Sequence, residues 1–131
     1  MKNENLLPKT KATLNILWVE DDEILRESIH DILELLGHNF DTASSGKLAL
    51  KFLNLNTYDY VITDIGMPEM NGWQLADIIN EKFENKIKIA VVSGWSTDSI
   101  DEGKKEHNIK HSLSKPFTIQ QIVQLLEDMK N

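Results

Sequence analysis

Apolar and polar positions along this chain form two kinds of segment. Short runs rich in Val and Ile alternate with longer stretches in which apolar residues recur every three or four positions. The short runs predict buried strands, and the longer stretches predict amphipathic helices. The pattern predicts strands at 14–19, 39–43, 58–64, 86–94 and 109–114, and helices at 23–36, 44–54, 73–83, 96–108 and after residue 117.

Local signals support these boundaries. Gly37 is a natural stop for the first helix, and Ser44 or Ser45 is placed to cap the second. The fourth helix offers only Ile100 as an apolar anchor and contains Gly103, so we expect it to be short and weakly held. The inner face of the fifth helix is predicted to be Ile119, Ile122, Val123, Leu126 and Met129.

Strict alternation of strands and helices predicts parallel strands joined by right-handed crossovers, with helices on both faces of the sheet. A chain of 131 residues with 40% apolar residues fits one such three-layer α/β domain. We expect residues 14–131 to form this domain and residues 1–13 to form a flexible N-terminal arm.

Composition narrows the function. A net charge of −7 and a pI near 5.0 argue against direct binding to nucleic acid, which requires clustered Lys and Arg. The absence of cysteine excludes disulfides and thiolate metal sites. No apolar run has the length of a membrane span or of a signal peptide core, so we expect a cytoplasmic protein with no membrane partner.

Polar residues follow the predicted strands at their carboxyl ends, where open parallel sheets bind ligands. Glu20 and Asp21 follow the first strand, Asp64 ends the third, Ser93 lies at the end of the fourth, and Lys115 follows the fifth. Carboxylates about 5 Å apart repel by roughly 3 kcal/mol per pair at an effective dielectric constant near 20. Either a carboxyl group is protonated or a divalent cation binds, and all-oxygen ligands favour Mg²⁺, or Mn²⁺ or Ca²⁺.

The next two acids along the chain, Asp22 and Glu23, have a different interpretation. They lie where the first helix begins, and negative charge at a helix N-terminus complements the helix dipole. We therefore assign only Glu20 and Asp21 to the acidic site.

An acidic cluster beside a lysine and a hydroxyl suits phosphoryl chemistry. Asp64 is the predicted nucleophile, since a carboxylate can accept a phosphoryl group as an acyl phosphate. Lys115 and Ser93 would each bind an oxygen of that group. The turn at Pro68 would bring the backbone carbonyl of Gly66 toward the metal.

Four segments of the chain resemble the receiver domain of two-component response regulators and occur in that family's order. They are LWVEDDE, VITDIGMPEMNGW, VVSGWS and LSKPF. The resemblance covers about residues 14–130 and implies a flavodoxin-like sheet of strand order 2-1-3-4-5. It implies that a histidine kinase or a phosphotransfer domain phosphorylates Asp64, and that the domain catalyses its own dephosphorylation. It further implies that Asp21, Asp64 and the Gly66 carbonyl hold Mg²⁺, with Glu20 acting largely through water.

The chain departs from the family where receivers often carry an aromatic switch residue. That position is Ser112, next to His111. We hypothesise that the output face instead responds by a change in order of residues 96–108, which hydrogen exchange with and without a phosphoryl mimic would test. Trp95 lies two residues after Ser93, near the path by which water would reach the phosphoryl group. Its bulk would slow hydrolysis of that group.

The sequence is compatible with more than one setting and with a second class of function. The chain would act on a downstream protein target, either as a stand-alone receiver or as part of a hybrid kinase or longer regulator. A degenerate receiver that serves only as an interaction module is the main alternative. A dehalogenase-type phosphatase would need a second acid at Gly66, and a flavin binder would not place four acids after the first strand.

Overall fold

The sheet consists of five parallel strands in the order β2-β1-β3-β4-β5. The computed structural model describes residues 13–94 and 97–130, so the predicted arm of residues 1–13 lies almost wholly outside the described part. The strands are β1 (Asn15–Val19), β2 (Asn39–Ala43), β3 (Tyr60–Asp64), β4 (Lys88–Ser93) and β5 (His111–Ser114). The helices are α1 (Glu23–Leu36), α2 (Gly46–Leu55), α3 (Gly72–Lys82), α4 (Thr97–His107) and α5 (Ile119–Met129). The predicted α/β class and strand order are confirmed.

Two apolar cores lie on opposite faces of the sheet. One contains the buried residues of α2 and α3 together with Ile100 of α4, and the other contains those of α1 and α5. Strands β1, β3 and β4 are buried along nearly their whole length, as continuous apolar runs in a covered parallel sheet require. Strand β2 lies at one edge of the sheet and is less buried than the central strands.

The caps of α1 and α2 agree with their sequence signals. Asp22 is the N-cap of α1 and accepts a hydrogen bond from the backbone N–H of Leu25 at 3.0 Å. Gly37 ends α1 with φ of 83°, a left-handed conformation that glycine adopts without steric cost. Ser45, rather than Ser44, caps α2. Asp22 is therefore helix-start charge, as predicted.

The prediction that α4 is short is wrong. Helix α4 spans 11 residues, as many as α3 or α5. Gly103 is buried, and a Cβ built there would lie 2.3 Å from Trp73 Cζ2. The Trp73 indole therefore packs directly on the backbone of α4. The ring of His107 stacks on the same indole, with centroids 5.0 Å apart, and its Nδ1 lies 2.9 Å from Asp77 Oδ1. Contacts with α3 thus replace the apolar anchors that the α4 sequence lacks.

The predicted inner face of α5 is partly wrong. Ile122, Leu126 and Met129 are buried as expected, but Ile119 and Val123 are 44% and 43% exposed. Leu125 is buried in their place. The apolar positions of α5 cover a wider arc of the helix than the sheet can cover, so one side of that arc faces solvent.

None of the helices in the described part of the chain combines the length and apolar character needed to cross a bilayer.

Candidate functional site

Ends of four strands bring the predicted polar residues to one edge of the sheet. Asp64 pairs in register with Val92, next to Ser93, and Ser93 in turn pairs with Ser114, next to Lys115. The side chains of Glu20, Asp64 and Ser93 are buried, whereas that of Asp21 is exposed. The cluster therefore combines buried side chains with one carboxylate, that of Asp21, that faces water.

Lys115 lies between two of the carboxylates. Its Nζ is 3.2 Å from Glu20 Oε1 and 3.3 Å from Asp64 Oδ1. The backbone N–H of Lys115 donates to the carbonyl oxygen of Ser93 at 2.9 Å, which fixes the start of the loop after β5. The Lys115–Pro116 peptide bond is cis.

Burial and crowding change the proton affinity of these groups. Burial raises the pKa of Glu20, and the charge of Asp64 raises it further, while the hydrogen bond from the Asp22 backbone and the charge of Lys115 act in the opposite direction. Burial also raises the pKa of Asp64, against the opposing effect of Lys115. Burial alone would lower the pKa of Lys115, but Asp64 and Glu20 outweigh it, and the pKa is raised. The Lys115 ammonium thus offsets only part of the rise in the pKa values of Glu20 and Asp64.

The acidic residues fit a divalent cation. One carboxylate oxygen from each of Glu20, Asp21 and Asp64 can be chosen so that all three lie within 4.8 Å of one another. Glu20 Oε1 is buried and forms an ion pair with Lys115 Nζ at 3.2 Å, which leaves acceptor capacity on this oxygen. A buried oxygen with spare acceptor capacity in an all-carboxylate set is suited to Mg²⁺, which prefers hard oxygen ligands and retains waters.

The loop after Asp64 is tightly packed at its far end. The backbone N–H of Gly72 donates to the Ile65 carbonyl at 2.9 Å, and a Cβ built on Gly72 would lie 2.4 Å from the carbonyl oxygen of Asp64. Gly66 is exposed and its backbone N–H donates to the Asp64 carboxylate, which works to lower the pKa of Asp64. The predicted role of the Gly66 carbonyl as a metal ligand stays a prediction.

The turn between β1 and α1 is contacted by a residue of α1 that the sequence reasoning missed. Arg26 Nη1 donates to the carbonyl oxygen of Glu20 at 3.0 Å and makes a longer contact of 3.5 Å with that of Asp21. In the same turn, the backbone N–H of Asp22 donates to Glu20 Oε2 at 3.0 Å. The only signal in the sequence is that Arg26 is the sole arginine of the chain, five residues after Asp21.

The position of the expected aromatic switch makes a polar contact with α4. Ser112 is half-buried, and its hydroxyl lies 3.3 Å from Lys104 Nζ. This contact crosses directly from β5 to α4. Trp95, and the first residue of the segment 96–108 that we expect to change its order, lie outside the described residues.

Comparison with known proteins identifies relatives of this sequence. Residues 16–127 match the sequence model of the family described as the response regulator receiver domain. The response regulator protein FleR of Pseudomonas aeruginosa is 32% identical over 111 residues, which are 85% of this chain and 23% of FleR. The sensor histidine kinase RcsC of Escherichia coli K12 is 33% identical over 131 residues, covering 93% of this chain and 13% of RcsC. The chain therefore spans less than a quarter of either relative.

Solved structures share the same architecture. The chemotaxis protein CheY4 of Vibrio cholerae superposes with a TM-score of 0.84 at 23% identity, covering 90% of this chain and 99% of CheY4. The response regulator TrrA of Thermotoga maritima, solved in complex with Mg²⁺-BeF, has a TM-score of 0.78 at 28% identity, covering 89% of this chain and 99% of TrrA.

Proposed function

Because the chain belongs to the family of response regulator receiver domains, we propose that Asp64 accepts a phosphoryl group in a Mg²⁺-dependent reaction. The donor is the phosphohistidine of a histidine kinase or of a phosphotransfer domain. The observation that carries this proposal is the meeting of Glu20, Asp21, Asp64 and Lys115 at one sheet edge, with Lys115 Nζ 3.2 and 3.3 Å from two of the carboxylates. A buried, solvent-reachable carboxylate beside a cation is what a phosphoryl acceptor requires.

Each residue has a separate task in the transfer. A carboxylate oxygen of Asp64 bonds to phosphorus as the P–N bond of the donor breaks, and the departing imidazole nitrogen keeps the electron pair and takes a proton. The Lys115 ammonium and the Ser93 hydroxyl each donate a hydrogen bond to an oxygen of the phosphoryl group. Glu20, Asp21, Asp64 and the Gly66 carbonyl would hold Mg²⁺, which supplies positive charge against the phosphoryl oxygens.

The proposal also includes the dephosphorylation of Asp64, which resets the signal. Water attacks phosphorus, the bond between phosphorus and the Asp64 oxygen breaks, and inorganic phosphate leaves as the carboxylate is restored. The domain would promote both steps through the same residues, so it is catalytic in its own phosphorylation and dephosphorylation without being a conventional enzyme.

Phosphorylation would change contacts with a downstream protein, without direct binding to nucleic acid, in the cytoplasm. Relatives carry this domain within a regulator and within a sensor kinase, and either setting fits residues 14–131 as the receiver unit. Both settings lead to the same chemistry at Asp64.

Labelling with acetyl phosphate tests the proposal. We expect the protein to form a hydroxylamine-labile acyl phosphate in Mg²⁺ and none after chelation of divalent cations. Asp64→Asn should abolish labelling, whereas Asp101→Asn, which alters an exposed acid on α4, should leave it unchanged.

Two results would contradict the proposal in different ways. Mg²⁺-dependent labelling that survives in Asp64→Asn would place the acceptor elsewhere. Failure of the unaltered protein both to be labelled and to bind Mg²⁺ would indicate a degenerate receiver that works only as an interaction module.

A further inference from the structure

Arg26 lies in the first turns of α1 and reaches back over the turn that carries two of the acids. Its Nη1 donates to the Glu20 carbonyl oxygen at 3.0 Å and contacts that of Asp21 at 3.5 Å. The side chain is half-buried, and the backbone N–H of Arg26 also donates to the Asp22 carbonyl at 2.9 Å. Arg26 is therefore tied to each of the three residues between β1 and α1.

The turn that Arg26 contacts is held at other points as well. The backbone N–H of Glu20 donates to the carbonyl of Ala43 at 2.9 Å, which continues the pairing of β1 with β2. The Glu20 carboxylate accepts the backbone N–H of Asp22 at 3.0 Å. Arg26 binds the carbonyl oxygens of Glu20 and Asp21, the two residues whose side chains enter the acidic cluster, and so restrains the backbone from which both carboxylates project.

The chemistry of the side chain matters for this restraint. The guanidinium is planar and presents its N–H groups in a fixed fork, whereas a lysine ammonium is a point charge on a flexible stem. The chain contains 14 Lys and Arg residues in total, and Arg26 is its only arginine. The only arginine of the chain is thus placed at the acidic turn, where its guanidinium reaches two carbonyl oxygens.

We propose that Arg26 is a positioning residue for the Mg²⁺ site, and this inference rests on the proposed function. By holding the Glu20 and Asp21 carbonyls, Arg26 keeps the two carboxylates close to Asp64 although they repel one another. The metal then binds a preorganised set of ligands instead of having to assemble them. Arg26 touches neither the metal nor the phosphoryl group in this role.

The sign of the effect on Mg²⁺ affinity separates positioning from simple charge. Loss of a positive charge near three carboxylates should, by Coulomb's law alone, strengthen the binding of a cation. Loss of a positioning residue should weaken it. A purely structural residue would lower the stability of the metal-free protein without a specific change in Mg²⁺ affinity.

Isothermal titration calorimetry with Mg²⁺ alone tests the proposal on the full chain. We expect Arg26→Met to weaken Mg²⁺ binding about tenfold, the lower end of the range for groups that orient metal ligands. Arg26→Lys should restore part of the loss. Lys51→Met, which removes an exposed charge on α2, serves as the control for net charge, and thermal unfolding of each metal-free variant reports stability.

The outcomes distinguish this inference from the function on which it rests. If the unaltered protein binds Mg²⁺ and Arg26→Met binds it equally well or more tightly, Arg26 has no positioning role and the proposed function stands. If Lys51→Met weakens binding as much as Arg26→Met, the loss is not specific to the acidic turn and the inference is wrong. If the unaltered protein binds no Mg²⁺, the proposed function and this inference both fail. If Arg26→Met does not fold, Arg26→Lys carries the same comparison.

Discussion

Lys115 Nζ lies 3.3 Å from Asp64 Oδ1, and this ion pair joins the end of β3 to the loop after β5 across the intervening strand β4. The same ammonium is 3.2 Å from Glu20 Oε1. Lys115 is therefore a cation shared by two carboxylates of the acidic cluster. Replacing Lys115 should therefore change Mg²⁺ binding and phosphoryl binding in opposite directions.

Lys115→Met should tighten Mg²⁺ binding at least about threefold, since the ammonium competes with Mg²⁺ for the same carboxylates. The metal-free variant should lose about 1–3 kcal/mol of stability, because two buried carboxylates lose their partner. The response to BeF₃⁻ should weaken, since Lys115 is proposed to bind the phosphoryl oxygens. Calorimetry and chemical denaturation measure these changes, with Lys110→Met, an exposed lysine before β5, as the control. Weaker Mg²⁺ binding in Lys115→Met would contradict the competition.

The affinity for Mg²⁺ should rise with pH above the ordinary carboxyl range. Burial raises the pKa values of Glu20 and Asp64 above their ordinary values of 4.5 and 3.8, and Mg²⁺ must displace the protons that these groups then hold. Titrations at successive pH values upward from about pH 4 should show tighter binding at each step until both groups are ionised. Asp64→Asn should show a shallower dependence, and an affinity independent of pH would contradict the prediction.

The same raised pKa values fix the sign of the pH dependence of stability in the metal-free protein. A raised carboxyl pKa contributes stability that is fully present below the unfolded-state value and is lost as pH rises through the folded-state value. The contribution of Glu20 and Asp64 to the free energy of unfolding should therefore decline upward from about pH 4. Denaturation of the unaltered protein and of Asp64→Asn across this range, without metal, isolates the contribution of Asp64.

Gly72 and Gly66 flank the loop after Asp64 and should respond differently to alanine. A Cβ on Gly72 would lie 2.4 Å from the Asp64 carbonyl oxygen and 2.9 Å from Ile65 Cα, and neither backbone atom can move freely. Gly72→Ala should cost about 1–3 kcal/mol and weaken Mg²⁺ binding by displacing Asp64. A Cβ on Gly66 meets nothing within 4 Å, so Gly66→Ala should change stability by no more than about 0.5 kcal/mol. Equal costs for the two variants would show that the close approach at Gly72 is not the cause.

Gly103→Ala should destabilise the protein, although the same change in an exposed helix would stabilise it by roughly 1 kcal/mol. The reason is that the new methyl group would collide with the Trp73 indole, whose Cζ2 is 2.3 Å from the Cβ position. In a Trp73→Ala background the collision is absent, and Gly103→Ala should then stabilise. Chemical denaturation of the four proteins in this double-mutant cycle measures the coupling. A cost that persists without Trp73 would show that the glycine is required for another reason.

Much of the site could be predicted because its residues follow strand ends. The local periodicity of apolar residues predicts the order of strands and helices. Parallel strands then bring their carboxyl ends to one edge of the sheet. Once the five strands were recognised, Glu20, Asp64, Ser93 and Lys115 had to meet, whatever the details of packing. The assignment of Asp22 to the helix start followed from the same local reasoning.

Contacts between side chains of different helices could not be read in this way. Helix α4 is held because Trp73, about 30 residues earlier, lies against Gly103, and nothing local to α4 encodes that contact. The exposure of Ile119 and Val123 likewise depends on how far α5 is rotated against the sheet.

By itself, the sequence determined the α/β class, the strand ends and the set of acids beside one lysine, because each follows from periodicity and chain order. Only the tertiary structure decided that Lys115 bridges Glu20 and Asp64, and that Arg26 turns back to hold the Glu20 and Asp21 carbonyls. Such contacts depend on the rotation of helices and the choice of rotamers, which are fixed by packing against distant parts of the chain.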